Sequence, residues 1–309
     1  MKNFIGIAFL LLSFLYSCSP SKKVVAPHPV AKTYAAKEKA LLWKVTGKEL
    51  KQPSYVFGTI HMISKEDFFL TDAIKDAFGK TNRVVFEINM EEMNDMSVLF
   101  KLMGKITMSN GQTLKDLISP EDYKLVEKHF SEMGLPLMFL EKIKPLFLST
   151  FASGDAAPGD LQSGEMKSYE MVFMEMAQQD KKEMGGLETI EFQLSMFDSI
   201  PYKAQADMLV DAIKSSGEGD DQFKQMVDLY KKQDLPGLYK MIEGDTEGVG
   251  DFEDLLLKGR NKNWIPIIEK MIANKATFFA VGAGHLGGEN GVVALLRKQG
   301  YEVTAVDAK

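Results

Sequence analysis

Tyr55-Val56-Phe57-Gly58-Thr59-Ile60-His61 and Thr277-Phe278-Phe279-Ala280-Val281-Gly282-Ala283-Gly284-His285 are two copies of one pattern near opposite ends of this chain. Each is an apolar run that reaches a glycine and then presents a histidine, Gly-x-x-His. Short unbroken apolar runs of this kind read as buried strands. In an open α/β sheet, ligands gather outside the carboxyl ends of the strands. Two such strands would bring His61 and His285 to one site. Gly58, Gly282 and Gly284 fit the same reading, because glycine tolerates positive φ and close backbone approach beside a ligand.

The flanking sequence extends this into a fold. Leu41 to Thr46 and Ser54 to Phe57 read as two strands of a hairpin, joined by a turn over 47–53. Ser64-x-x-Asp67 resembles a capping box and predicts a helix running to about Phe78. Arg83-Val84-Val85-Phe86-Glu87-Ile88 is the next strand, and strand–helix–strand order favours a parallel sheet. Ser119-Pro120-Glu121-Asp122 combines an N-cap with a proline at the first helical position, opening a helix that ends near Gly134. Further helices are expected at 137–151, 166–180, 190–198, 202–215, 220–232, 235–243 and 261–273, with a short strand before Gly185. The chain closes with strand 277–282, helix 289–298 and strand 301–306. The expected class is α/β, a mainly parallel sheet formed by N- and C-terminal segments, with a helical insert over about 113–273.

With 45% hydrophobic and 26% charged residues, the composition supports a packed core. Net charge is −6, without a Lys/Arg stripe interleaved with aromatics, which argues against nucleic-acid binding. Met1-Lys2-Asn3 followed by apolar Phe4 to Tyr16 reads as a targeting segment too short for a comfortable membrane span. Leu15-Tyr16-Ser17-Cys18 resembles the bacterial lipobox. That resemblance implies removal of residues 1–17 and a lipid on Cys18, the only cysteine. Ser19 after it favours the outer membrane, and Lys22 and Lys23, without an acidic run, point to the periplasmic face. The lipid would be the only membrane attachment. Residues 18–39, rich in Pro, Ala, Ser and Lys, read as a flexible tether to a domain over 40–309.

Of four histidines, His28 falls in the tether and His129 on an amphipathic helix, which leaves His61 and His285 for chemistry. Glu87 is the third candidate. A glutamate inside an apolar strand must be paired, metal-bound or shifted in pKa, because burying it bare is costly. Two histidines and a carboxylate suit a divalent metal with an open position for water. They suit acid–base work on a substrate without metal as well. Arg260, in Arg260-Asn261-x-x-Trp264, could bind a substrate carboxylate or pair with Glu87. Glu165 and Glu188 are further acidic candidates. Met166, Met171, Met174 and Met176 read as helix core filler.

Taken together, certain pieces carry a family resemblance. They are Leu42-Trp43-Lys44-Val45, Gly58-Thr59-Ile60-His61, Glu87, Gly186-Leu187-Glu188-Thr189 with Gln193, Arg260-Asn261-x-x-Trp264, and Gly282-Ala283-Gly284-His285-Leu286-x-Gly288-x-x-Gly291-Val292. In this order and spacing, over about 40–307, the chain resembles the TraB/PrgY/GumN family, which includes the Tiki metalloproteases and is similar to the erythromycin-esterase and ChaN-like superfamily. The resemblance implies an α/β core with a helical insert. It also implies a site of His61, Glu87 and His285, and a divalent metal such as Mn, Co or Zn. Gly164-Glu165-Met166-Lys167-Ser168-Tyr169 departs from the Asp-Tyr-Leu-like stretch often found there, so the resemblance assigns Glu165 no role. Two functions follow. One is a metal-dependent hydrolase acting on peptides or small amide or ester substrates. Its metal would be held by His61 and His285, with Glu87 as ligand or base, and Arg260 would orient substrate or stabilise developing charge, supported by Glu188 and Asn261. The other is a non-catalytic protein that sequesters a peptide or haem-like ligand in the same cleft.

Overall fold

The computed structural model describes residues 34–94, 102, 104–152, 164–214, 216–244 and 252–308. The targeting segment, Cys18, His28 and most of the tether lie outside the described residues. Among the described residues no helix is long and apolar enough to cross a membrane.

Six strands form the main sheet: β1 (Leu42–Thr46), β2 (Ser54–Thr59), β4 (Arg83–Ile88), β6 (Glu183–Glu188), β7 (Thr277–Gly282) and β8 (Glu302–Val306). Their order is β6-β4-β7-β2-β1-β8. The pairs from β6 to β2 are parallel. β1 pairs antiparallel with β2 in the expected hairpin, and β8 adds antiparallel outside it. The sheet is therefore mixed, with a parallel centre made by strands from both ends of the chain. Two short strands, β3 (Ile63–Ser64) and β5 (Met166–Lys167), pair separately.

Alternation along β2 and β7 explains the layers. Tyr55, Phe57, Phe278 and Ala280 enter one core, and Val56, Phe279 and Val281 enter the other. The first core is closed by α1 (Asp72–Gly79), α4 (Tyr169–Gln179) and α7 (Ser216–Lys231) through Phe78, Phe173 and Tyr230. The second is closed by α9 (Gly259–Asn274) and α10 (Val292–Lys298) through Trp264, Ile268, Val293 and Leu296. Both faces of the central strands are thus dry, which is why their sequences run apolar without a polar phase. Helices α2 (Pro120–Glu132), α3 (Pro145–Ala152) and α6 (Tyr202–Lys214) contribute to a further core built around Val126, Phe130, Leu148 and Leu209. The remaining helices are α5 (Ile190–Phe197) and α8 (Leu235–Gly244).

Two details depart from the sequence expectation and one extends it. Ser64 and Asp67 do bond to each other, yet they close a turn. The helix starts at Asp72, because Phe68, Phe69 and Leu70 first pack against the core. The short strand expected before Gly185 runs on to Glu188 as β6 and takes an edge of the sheet. Residues 34–39, assigned to the tether, lie against the domain: Ala36 is buried, and Arg297 binds the Tyr34 carbonyl and Glu38.

Candidate functional site

β2 and β7 are parallel neighbours, with Gly58 opposite Val281 and Thr59 opposite Gly282. Both Gly-x-x-His segments therefore leave the sheet at the same end. The second turns immediately into a 3-10 turn, Ala283–His285. A Cβ on Gly58 would meet Leu286 Cδ1 at 2.9 Å and Ala283 Cα at 3.0 Å. Glycine at 58 is what lets the two motifs pass each other.

Gly282 lies where three side chains converge. A Cβ there would meet Glu87 Oε1 at 3.2 Å, His285 Cδ2 at 3.7 Å and His61 Nε2 at 3.9 Å. The Gly282 N–H donates to Glu87 Oε1 at 2.9 Å. His61, His285 and Glu87 thus come from the ends of three adjacent strands, β2, β7 and β4.

His285 is buried, and its tautomer follows from its neighbours. Asn261 donates through Nδ2 to the Asn290 carbonyl at 3.0 Å. That turns its Oδ1 toward His285 Nδ1, at 2.7 Å. An amide oxygen only accepts, so Nδ1 carries the proton and Nε2 keeps a lone pair. Arg260 Nη1 donates to that lone pair at 3.1 Å, and the Trp264 ring packs on the imidazole with centroids 4.3 Å apart. Burial, with Arg260 and His61 nearby, pushes the His285 pKa down to about 3, so the ring is neutral.

Arg260, Asn261 and Trp264 all belong to α9, where Arg260 and Trp264 share a face at i, i+4. The Arg260 Nε donates to Glu188 Oε1 at 3.0 Å. Nη2 reaches Glu87 Oε2 and Glu188 Oε1, each at 2.5 Å. Nη1 reaches the Leu256 carbonyl at 3.1 Å besides His285. A guanidinium has five N–H groups, and here each has an acceptor. Trp264 Nε1 donates to Glu188 Oε2 at 3.0 Å, and Gln193 Nε2 lies 3.4 Å from Glu87 Oε2 and 3.3 Å from Glu188 Oε1. Burial pushes the Glu87 carboxyl up, but His285, Arg260, His61 and the Gly282 N–H outweigh it and hold the pKa at about 2. Because His285 is neutral, the standing attraction is that of Arg260, joined by His61 when protonated.

His61 is the exposed member of the three, with its side chain 74% exposed and Nδ1 3.3 Å from Glu170 Oε1. Glu170 is itself fixed by Thr59 Oγ1 on Oε1 at 2.7 Å and Ser168 Oγ on Oε2 at 2.9 Å. This carboxylate raises the His61 pKa toward about 9, and water around the exposed ring tempers the rise.

The donors can be tested against a divalent metal. The lone pair of His285 Nε2 faces a cationic N–H, and so does Glu87 Oε2. Glu87 Oε1 is 3.6 Å from His285 Nε2 and is already bonded to Gly282. Among the described residues, no group of three His, Cys, Asp or Glu side chains is placed to hold a metal ion. As arranged, the site does not fit one.

Other candidates fall as follows. Glu188 and Asn261 join the network. Gly284 is pressed against Ile242, whose Cδ1 a Cβ would meet at 2.8 Å. Glu165 precedes β5, its carbonyl accepting from the Lys65 N–H at 2.8 Å. Glu170 was not among the candidates drawn from the sequence. The available signal was that Thr59 and His61, two apart at a strand end, both need a polar partner on one side.

Comparison with known proteins identifies a family and several relatives. The TraB/PrgY/gumN family profile matches residues 41–305. The chain is 23% identical to metalloprotease TIKI1 of Danio rerio over 315 residues, covering 85% of this chain and 62% of that protein. It is 21% identical to metalloprotease TIKI1 of Homo sapiens over 316 residues, covering 85% and 61%. A segment of 73 residues is 36% identical to a metalloprotease TIKI homolog of Amphimedon queenslandica, 22% of this chain and 14% of that one. The chain spans about three fifths of the length of the TIKI1 proteins it matches. No solved structure matches it. The profile runs from β1 into β8 and contains both Gly-x-x-His strands, Glu87 and the Arg260 helix, and this chain belongs to the TraB/PrgY/gumN family.

Proposed function

We propose that this chain is a hydrolase of peptide bonds or of small amide or ester substrates, working where His61, Glu87 and His285 meet over Gly282. The observation that carries the reading is the exposed His61 paired at Nδ1 with Glu170, above a buried carboxylate. Hydrolysis of an acyl bond needs a base for the attacking water and an acid for the leaving group. An imidazole held by a carboxylate at one nitrogen can serve both steps through the other. In its neutral form, which the raised pKa confines to alkaline pH, His61 Nε2 would take the proton from water and return it to the leaving nitrogen or oxygen. Ionised Glu87 below would stabilise the imidazolium formed in between. Arg260, whose donors are engaged inside the network, would position Glu87 and His285 instead of touching substrate. Similarity to proteins named metalloproteases supports hydrolysis as the class.

The test is incubation of the purified protein with a peptide library, with and without Mn²⁺, Co²⁺ or Zn²⁺. Defined cleavage products, lost in His61→Ala, are expected. Tight peptide binding without cleavage under every condition would favour the sequestering protein instead.

A further inference from the structure

The relatives are named metalloproteases, yet the position a metal would take between His285 and Glu87 is bordered by a guanidinium. Each of its five donors has an acceptor, and those acceptors include the ones a divalent ion would need: Glu87, Glu188 and the Nε2 lone pair of His285. A metal bound to imidazole sits about 2.0–2.1 Å from the nitrogen on its lone-pair axis. That axis carries an Arg260 N–H, with the nitrogen 3.1 Å away. An ion there would lie against a positive charge that is only 7% exposed, where like-charge repulsion is weakly screened. Arg260 cannot easily swing aside, because Leu256, Glu188 and the Trp264 face hold it from three directions.

We propose that Arg260 is the resident cation of this site and that the protein works there without a divalent metal. The guanidinium balances Glu87 and Glu188, and its N–H fixes the His285 lone pair. This deepens the hydrolase reading of the same site and rests on it for its chemistry. With no metal to activate water, proton transfer falls to His61, with Glu170 as its positioning residue.

The experiment uses the full chain, purified after growth with added Mn²⁺, Co²⁺ and Zn²⁺. Metal content by mass spectrometry, thermal midpoint with each ion or with chelator, and turnover are read on one preparation. Substoichiometric metal, an unmoved midpoint and chelator-resistant turnover are expected. Stoichiometric metal that disappears in His285→Ala would overturn the proposal. Should that variant not fold, the same loss in Glu87→Gln would overturn it. The two readings fail separately. A metal-free protein that hydrolyses nothing removes the hydrolase reading alone, and a chelator-sensitive hydrolase with metal at His285 removes only this one.

Discussion

His61 and His285 carry the same imidazole in opposite surroundings, and substitution should separate them. His61→Ala removes an exposed ring, so stability should stay within about 0.5 kcal/mol while turnover falls by about 10²–10⁴, the scale of a lost acid–base group. Kinetics and thermal melts on one preparation check both halves. His285→Ala strands the Asn261 oxygen and one Arg260 N–H, and should cost about 1–3 kcal/mol on denaturant unfolding. Gly282→Ala is subtler. Its backbone φ of −52° suits alanine, but the methyl would crowd Glu87 Oε1 at 3.2 Å beside both histidines. Turnover should drop with little change in melting. Glu87, His61 and His285 stand out in the sequence because each breaks a local pattern, a charge in an apolar strand or a histidine after a strand-ending glycine, whereas Arg260, inside a helix, stands out only together with Asn261 and Trp264. Glu170 does not. It lies 111 residues from Thr59 in sequence, in the first turn of a helix, where an acid is favoured for electrostatic reasons alone.

Strands were easier to read than helix starts, and the reason is burial. β2 and β7 are dry on both faces, so their composition alone marks them. The Ser64–Asp67 pair satisfied a capping pattern without a helix following, since three apolar residues after it are used to close the core. The edge strand β6 carries Gly185 and Gly186, which weaken its strand signal. Where β2 meets the second motif, Gly58→Ala should destabilise by about 1–3 kcal/mol, the cost of overpacking. The neighbours include backbone, Ala283 Cα at 3.0 Å, which cannot rotate away. Denaturant midpoints would show this, and a smaller loss would mean that the 283–285 turn can slide along β2.

Two tyrosines tie the first core together and give the protein a response to alkali. Tyr169 donates to the Phe69 carbonyl and Tyr230 to the Gly58 carbonyl. Burial pushes the Tyr169 pKa up to about 12 and that of Tyr230 well above the ordinary phenol range. A raised folded pKa means that stability is intact below the unfolded value near 10 and is lost as pH rises through the folded value. Alkaline absorbance titration should therefore show most tyrosines ionising gradually and a late step coincident with loss of circular dichroism. Tyr230→Phe should shrink that step. The proposed outer-membrane location facing the periplasm is tested by Cys18→Ala, which should move the protein from the membrane to the soluble fraction. Finally, β2 and β7 touch across 223 residues, from Ser54 to Thr277. A ribosome adding 5–20 residues per second needs roughly 10–45 s to cover that interval. Throughout that time β2 has emerged without the neighbour that covers its edge, and no half-made chain carries both histidines. The nascent protein is sticky before it is active, so its synthesis depends on holding that strand apart from others until about the last tenth of the chain arrives.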